Sequence, residues 1–190
     1  MSYAGAFLKT QGTDISIQRA TPVPSKVSMK RSTNSTSYLG AREAYYSGLV
    51  LADSDLKAGE VFSIGSDKYL VQTALKSFGD MEIEFMAAKT NAIVDIKRHT
   101  ETVDQYGNFT QEWKDIGTNV DCFGEIVTYQ TRQVDPGILE GTRYIFQISK
   151  NVGVILRDRI VYNSKNYDVI SVDDTMEVFR LQLGVDTRED

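Results

Sequence analysis

A chain of 190 residues, 41% hydrophobic and 25% charged, has the composition of an ordinary globular protein, either one domain or two of about 90–100 residues each. No apolar run approaches the roughly 20 residues that a bilayer-spanning helix needs, and Met1 to Lys9 lacks the basic start and apolar core of a secretion signal, so no membrane role is expected. The net charge of −5 is uneven: residues 1–91 carry 10 basic and 9 acidic side chains, and residues 92–190 carry 11 and 17. Cys122 is the only cysteine, so no intrachain disulfide can form and a cytosolic folding compartment is expected.

After a short N-terminal segment, Asp14–Arg19 alternates as a strand does. Pro22 and Pro24 are expected to break the ladder, leaving a short edge strand around Val27 and Met29. Residues 31–37 form a polar loop, and Glu43–Leu51 fits either a strand or a short helical turn. Glu60–Met86 then reads as a tight meander, with turns at Gly65-Ser66-Asp67 and Gly79-Asp80. A second start follows at Ala92–Arg98, repeating the pattern and closing arginine of Ile15–Arg19. Tyr106-Gly107-Asn108 is a turn, Thr110–Ile116 with Trp113 continues the hairpin, and Val120–Ile126 is a further strand. Gln130–Gly141 reads as a polar connection, and Tyr144–Ile148 and Val152–Leu156 lead into a last meander, Asp158–Leu183.

The two meanders repeat one phrase. Tyr69 falls on Tyr167, Val71 on Val169, and Met81-Glu82-Ile83 on Met176-Glu177-Val178. Each half offers five or six short strands and almost no helical periodicity. The expected fold is all-β: two tandem small β-barrels, SH3-like or related, from an internal duplication, with domains 1–91 and 92–190.

Residues that carry chemistry are scarce. His99 is the lone histidine, placed at an expected strand end as a surface side chain, and Cys122 sits in an apolar strand pattern as a buried thiol. Asp53-Ser54-Asp55 and Asp173-Asp174 fall where hairpin turns are expected, without the continuation of a calcium loop. Neither enzymatic activity nor a cofactor or metal is expected. Between Asp14 and Glu43 no acid occurs, while Arg19, Lys26, Lys30, Arg31 and Arg42 supply five positive charges. This window reads either as a partner or DNA-channel contact through phosphate oxygens or as a solvated loop. Gln133, Asp135, Pro136, Gly137 and Glu140 lie in the interrupted connection, which reads as an inter-subunit or partner loop or as a plain linker.

Ile96-Lys97-Arg98, then Asp104-Gln105-Tyr106-Gly107-Asn108, Glu112-Trp113, Val120–Phe123, and finally Asp158–Asn163 with Lys165–Val172 occur in an order and spacing that resembles the head–tail joining (head-closure or head-completion adaptor) family of long-tailed bacteriophages. The resemblance covers about residues 92–187. It implies a small β-barrel and a homo-oligomeric ring beneath the portal protein, seating tail-terminator or other tail proteins and retaining packaged DNA. It also implies a place in the virion neck, assembled in the host cytoplasm, with possible non-specific contact with DNA. The family's terminal Asn-Gly-Lys hairpin has Ser164 here, so that turn must either change geometry or accept φ > 0 without glycine. Alternative readings are a tail-completion or baseplate component and a non-viral barrel binding module.

Overall fold

The computed structural model describes residues 3–32, 45–77, 81–103 and 105–188. Arg42, Asp104, the Gly79-Asp80 turn and most of the 31–37 loop lie outside them. The chain divides into two units, Met1–Asn91 with Met176–Val178, and Ala92–Thr175 with Phe179–Asp190.

Each unit is a closed six-stranded antiparallel barrel. The first is built from β1 (Thr13–Ile17), β2 (Val23–Arg31), β3 (Tyr45–Leu51), β4 (Val61–Ile64), β5 (Asp67–Lys76) and β6 (Glu82–Lys89), ordered β1-β2-β3-β6-β5-β4. The second uses β7 (Ala92–Val103), β8 (Phe109–Ile126), β9 (Tyr144–Ser149), β10 (Arg159–Tyr162), β11 (Lys165–Asp173) and β12 (Val178–Val185) in the same cyclic order. Closure removes the sheet edges that a short meander would otherwise expose. Alternate side chains fill each interior: Ile15, Ile17, Val27, Val50, Phe62, Tyr69, Val71 and Phe85 in the first, and Val94, Ile96, Cys122, Phe146, Ile160, Tyr167, Val169 and Leu181 in the second. Full burial of such a side chain contributes roughly 1.5–3 kcal/mol.

The duplication extends to pairing details. Ile17 faces Phe62 across β1–β4, and Ile96 faces Ile160 across β7–β10. Tyr46 meets Tyr69 edge-to-face at 5.2 Å, and Tyr144 meets Tyr167 likewise at 5.2 Å. A register shift falls between Val71 and Thr73 in one barrel and between Val169 and Ser171 in the other. The expected match of Met81-Glu82-Ile83 to Met176-Glu177-Val178 moves by one residue. Leu75 faces Glu84 and Asp173 faces Arg180, which sets Glu82 against Val178.

Several expectations are corrected. Residues 45–51 of the ambiguous segment form a strand. β2 is a long interior strand rather than a short edge, because Pro24 lies where only β1 pairs with it, β3 joining from Val27 onward. Thr110–Ile116 and Val120–Ile126 are one strand, β8, bulged but unbroken where Asn119 takes φ 52 and donates its N–H to Asp95 at 2.8 Å. Two helices occur where none was expected. α1 (Tyr3–Gln11) buries Leu8, and α2 (Tyr129–Val134) is started by a reciprocal capping box between Thr128 and Thr131. Val152–Leu156 is not a strand: a 3-10 turn, Lys150–Val152, ends at Gly153 with φ 69.

The turn between β10 and β11 keeps the tight geometry and accepts the strain, with Asn163 at φ 49 and Ser164 at φ 59. A left-handed conformation costs a residue with a Cβ about 1–2 kcal/mol. Ser164→Gly is therefore expected to stabilise the protein by about 1 kcal/mol, read as a higher denaturation midpoint at unchanged slope. A lower midpoint would show that the hydroxyl, not the backbone, sets the turn.

Candidate interaction site

The two copies share one electrostatic device. In the first barrel the strand β1 runs out at Arg19, whose Nε and Nη2 donate to the two Glu60 oxygens at 2.6 and 2.9 Å, while Nη2 also reaches the Asp55 carbonyl at 2.7 Å. Glu60 in turn accepts from the Lys57 N–H at 2.9 Å. In the second barrel Arg98 donates to Asp158 at 2.9 and 2.8 Å and to the Gly153 carbonyl at 2.8 Å, and Asp158 accepts from the Ile155 N–H at 2.8 Å. Asp55 and Gly153 are the left-handed ends of matching 3-10 turns. Each arginine thus fastens its first strand to the turn that leads into the fourth. A bidentate guanidinium–carboxylate pair is the strong form of such a contact. Its hydrogen bond to the carboxylate raises the pKa of each arginine.

The copies part company just beyond the clamp. Residues 18–22 join β1 to β2 across the Ile17–Val23 pair, whereas residues 97–116 join the strands across the matching Ile96–Gly117 pair. The added length is a two-stranded arm. Its ladder runs from Lys97–Asp115 to Val103–Phe109. β10 pairs with β7 only at Asp95–Lys97, and β9 pairs with β8 only at Phe123–Ile126, so both edges of the arm are open. Cross-strand partners share a face. One face carries His99 against Trp113, with rings 5.2 Å apart, Glu101 accepting from Gln111 at 3.0 Å, and Val103 beside Phe109. At the tip Val103, Tyr106 and Phe109 are 57%, 80% and 74% exposed.

The foot of the arm is held by charge. The Arg159 guanidinium lies 3.9 Å from the Trp113 ring centre, and that of Arg188 lies 4.9 Å away. Asp186, itself buried, accepts from Arg159 at 2.7 Å and Arg188 at 2.8 Å, and Arg188 also reaches Asp168 at 2.8 Å. Desolvation alone would raise the Asp186 carboxyl, but the hydrogen bonds from Arg188 and Arg159 together hold it at about 2. A concavity of about 620 Å³ runs beside this foot, lined by His99, Trp113, Ile155, Leu156, Arg157 and Arg188 among others.

The residues singled out from sequence are scattered. Arg19 is committed to its clamp. Lys26 stands 3.4 Å from Asp14, Lys30 and Arg31 are exposed along β2, and Arg42 lies outside the described residues. The 133–140 connection is not a loose linker. Gln133 lies in the last turn of α2, Asp135 caps its C-terminus and pairs with Arg180 at 2.6 Å, the Gly137 carbonyl accepts from Gln182 at 2.9 Å, and Pro136 and Glu140 are exposed. His99 is an exposed side chain, as expected, but lies within β7 rather than at a strand end, its ring 5.2 Å from that of Trp113. Cys122 is buried, and desolvation lifts its thiol to about 12. Asp173 accepts from the Thr175 N–H and hydroxyl, which is turn chemistry. The arm as a unit was not foreseen. Its signal was two proline-free, mostly polar runs, 97–103 and 109–115, on either side of the Gly107 turn.

Glu125 was also missed. It is buried beside Ile145 on β8–β9, and its Oε1 has no hydrogen-bond partner. Burial pushes its carboxyl to about 7 against the opposing pull of Arg180.

No family model and no curated protein matches the chain. Among solved structures, apo MrkH of K. pneumonia is similar at 9% identity, covering 98% of this chain and 83% of that one, with a TM-score of 0.22. The MrkH–c-di-GMP complex is similar at 8% identity, covering 97% and 84%, with a TM-score of 0.17. At those scores the likeness carries no argument about fold or function.

Two outcomes are expected. Asp158→Ala removes a carboxylate only 2% exposed but leaves an Arg98 that is 32% exposed; it should cost about 1.5–3 kcal/mol in chemical denaturation, while a loss below about 1 kcal/mol would mean that the clamp behaves as a surface pair. For Glu125 the folded pKa lies above the ordinary 4.5, so the cost of burying its charge grows as pH rises from 4.5 to about 7 and is constant above. Glu125→Gln should raise stability by roughly 1–3 kcal/mol at pH 8 and by little at pH 4. An equal gain at both would exclude titration as the cause.

Proposed function

We propose that this chain is a structural neck protein of a tailed bacteriophage, an adaptor that forms a ring, joins the portal to the tail and helps retain packaged DNA. The observation that carries the reading is the arm. Some of the residues behind the family resemblance build it and its mounting: Ile96-Lys97-Arg98 runs from the barrel into the clamp, Tyr106-Gly107-Asn108 turns the tip, and Glu112-Trp113 forms the foot, while Val120–Phe123 and Lys165–Val172 belong to barrel strands β8 and β11. Asp158, just before β10, pairs with Arg98 at the root of the arm, and Arg159, the first residue of β10, lies against Trp113.

An adaptor works by geometry rather than by bond-making. A closed barrel offers few unpaired backbone groups, so open edges confined to one ribbon give association a defined place. Exposed aromatic and aliphatic side chains at the tip are the kind of anchors that dominate interfaces. The exposed Lys30 and Arg31 on β2 offer a secondary, electrostatic contact for nucleic acid or an acidic partner.

The test is electron microscopy of a lysate in which this gene carries a nonsense mutation, complemented with either the wild-type gene or Tyr106→Ser/Phe109→Ser. The expected result is free tails beside tail-less heads, many without DNA, rescued by the wild type and poorly by the arm variant. Complete tailed particles in the uncomplemented lysate would overturn the reading.

A further inference from the structure

Residues 128–142 leave the second barrel and return to it at one place. Ile126 pairs with Tyr144, and the Val127 N–H donates to the Arg143 carbonyl at 2.9 Å, so the segment between them is a strap whose ends meet. Leu181 and Leu183 point into the barrel core, as do Cys122 and Phe146. Alternation therefore turns Arg180 and Gln182 of β12, Phe123 and Glu125 of β8, and Ile145 of β9 to the outer face. The strap is held on that face by side chains. Gln182 accepts from the Leu139 N–H and the Thr142 hydroxyl and donates to the Gly137 carbonyl, and Arg180 pairs with Asp135. Phe123 and Ile145 are each 2% exposed on the covered face, and Glu125 is buried with them.

Little around Glu125 can offset a charge. Its Oε1 has no hydrogen-bond partner among the described residues. β9 presents only Ile145 and Gln147, and Asp121 lies on the same face of β8 about 13 Å along the strand. In the strap, Arg132 donates to the Thr142 carbonyl at 2.9 Å, and Glu140 and the flanking Arg143 are exposed. Arg180 is the cation whose pull reaches Glu125, and it is already engaged by Asp135 at 2.6 Å. A neutral carboxyl fits such a place, whereas a carboxylate lacks donors and competes with Asp135 for one guanidinium.

We infer that the strap is a pH-operated cover, closed while Glu125 is protonated and lifting when Glu125 ionises, which uncovers Phe123 and Ile145. Ionised Glu125 regains full solvation only when the strap leaves, and it draws Arg180 away from the strap's own ion pair. The base survives lifting, because the Ile126–Tyr144 pair and the Val127–Arg143 bond are backbone contacts outside the strap. The carboxyl has its ordinary value of 4.5 when solvated and about 7 when covered. Opening therefore becomes easier as pH rises from 4.5 to about 7 and is constant above. The cover belongs to the second barrel alone and stands apart from the adaptor reading.

Amide exchange of the full chain, followed by NMR from pH 5 to pH 9 and expressed as protection factors, tests it. The Leu139 and Thr142 amides are bonded within the closed strap. They should lose about tenfold in protection between pH 6 and pH 8 and ignore low urea, because a local opening exposes little surface. The Val169 amide, bonded to the Asp158 carbonyl in the barrel, should stay more protected and keep a urea slope. In Glu125→Gln the pH dependence of the strap should vanish. A titration of the Glu125 carboxyl carbon in the wild-type protein needs no variant, and its midpoint should fall where strap protection levels off, at about 7. Strap protection that is indifferent to pH, that responds equally in Glu125→Gln, or that shares the urea slope of Val169 would overturn the inference. So would a carboxyl midpoint near 4.5.

Discussion

The clamp between an arginine at the end of a first strand and a carboxylate before a fourth is the constraint on which both barrels depend. Closing six short strands requires the first and fourth to meet, and only two to three residue pairs join them in either copy: Ser16–Ser63 and Ile17–Phe62, or Asp95–Val161 through Lys97–Arg159. So short a ladder gains little from backbone hydrogen bonds alone. The guanidinium extends it by tying strand, carboxylate and 3-10 turn into one knot, with Gly59 or Arg157 held at positive φ beside it and the same pair of backbone bonds to Val71 or Val169. The carboxylate is largely shielded in the first copy and almost wholly in the second, 14% against 2% exposed. That difference tracks the load: the second clamp also anchors the arm.

An arm of two strands with open edges would be marginal by itself. Here it has a stiff root. The Trp113 ring lies against two guanidiniums whose charges are neutralised by Asp186 and Asp168. The carboxylates allow the arginines to be buried, the arginines orient the indole, and the indole fixes the first turn of the ribbon. Asp186 and Arg188 come from the segment after β12, so the last described residues of the chain share in aiming a feature that begins some ninety positions earlier.

Much of the barrel pair was legible because its strands are short, alternate cleanly and are separated by Asn, Asp, Gly and Ser. Tyr69 and Tyr167, at matching places in the two meanders, and the closing arginines of Ile15–Arg19 and Ala92–Arg98 even pointed to equivalent positions. What escaped reading had weaker local signals. α2 depends on two threonines bonding to each other's backbone around a polar sequence. β8 was divided in two because the Gly117–Asn119 bulge looks like a turn until Asp95 is known to hold it. The Val152–Leu156 segment has strand composition, but the Asp158 carboxylate curls it by accepting from Ile155. The foot of the arm joins Trp113, Arg159 and Arg188, too far apart in sequence for any periodicity to connect them.

Duplicated barrels face a hazard that single ones do not: a hairpin of one copy can dock into the other while the chain folds. One detail of the cores works against this. Met29 faces Gly48 across β2–β3, and at the corresponding place Gly124 faces Phe146 across β8–β9. A Cβ on Gly48 would come within 2.7 Å of the Met29 Cβ, and one on Gly124 within 2.3 Å of the Phe146 ring. Large and small have traded strands. A hybrid pairing β2 with β9 would force methionine against phenylalanine, and one pairing β8 with β3 would set glycine against glycine over a void. Mistaken assembly is thus penalised by crowding in one direction and by emptiness in the other, so the copies have kept a common plan while losing interchangeable parts.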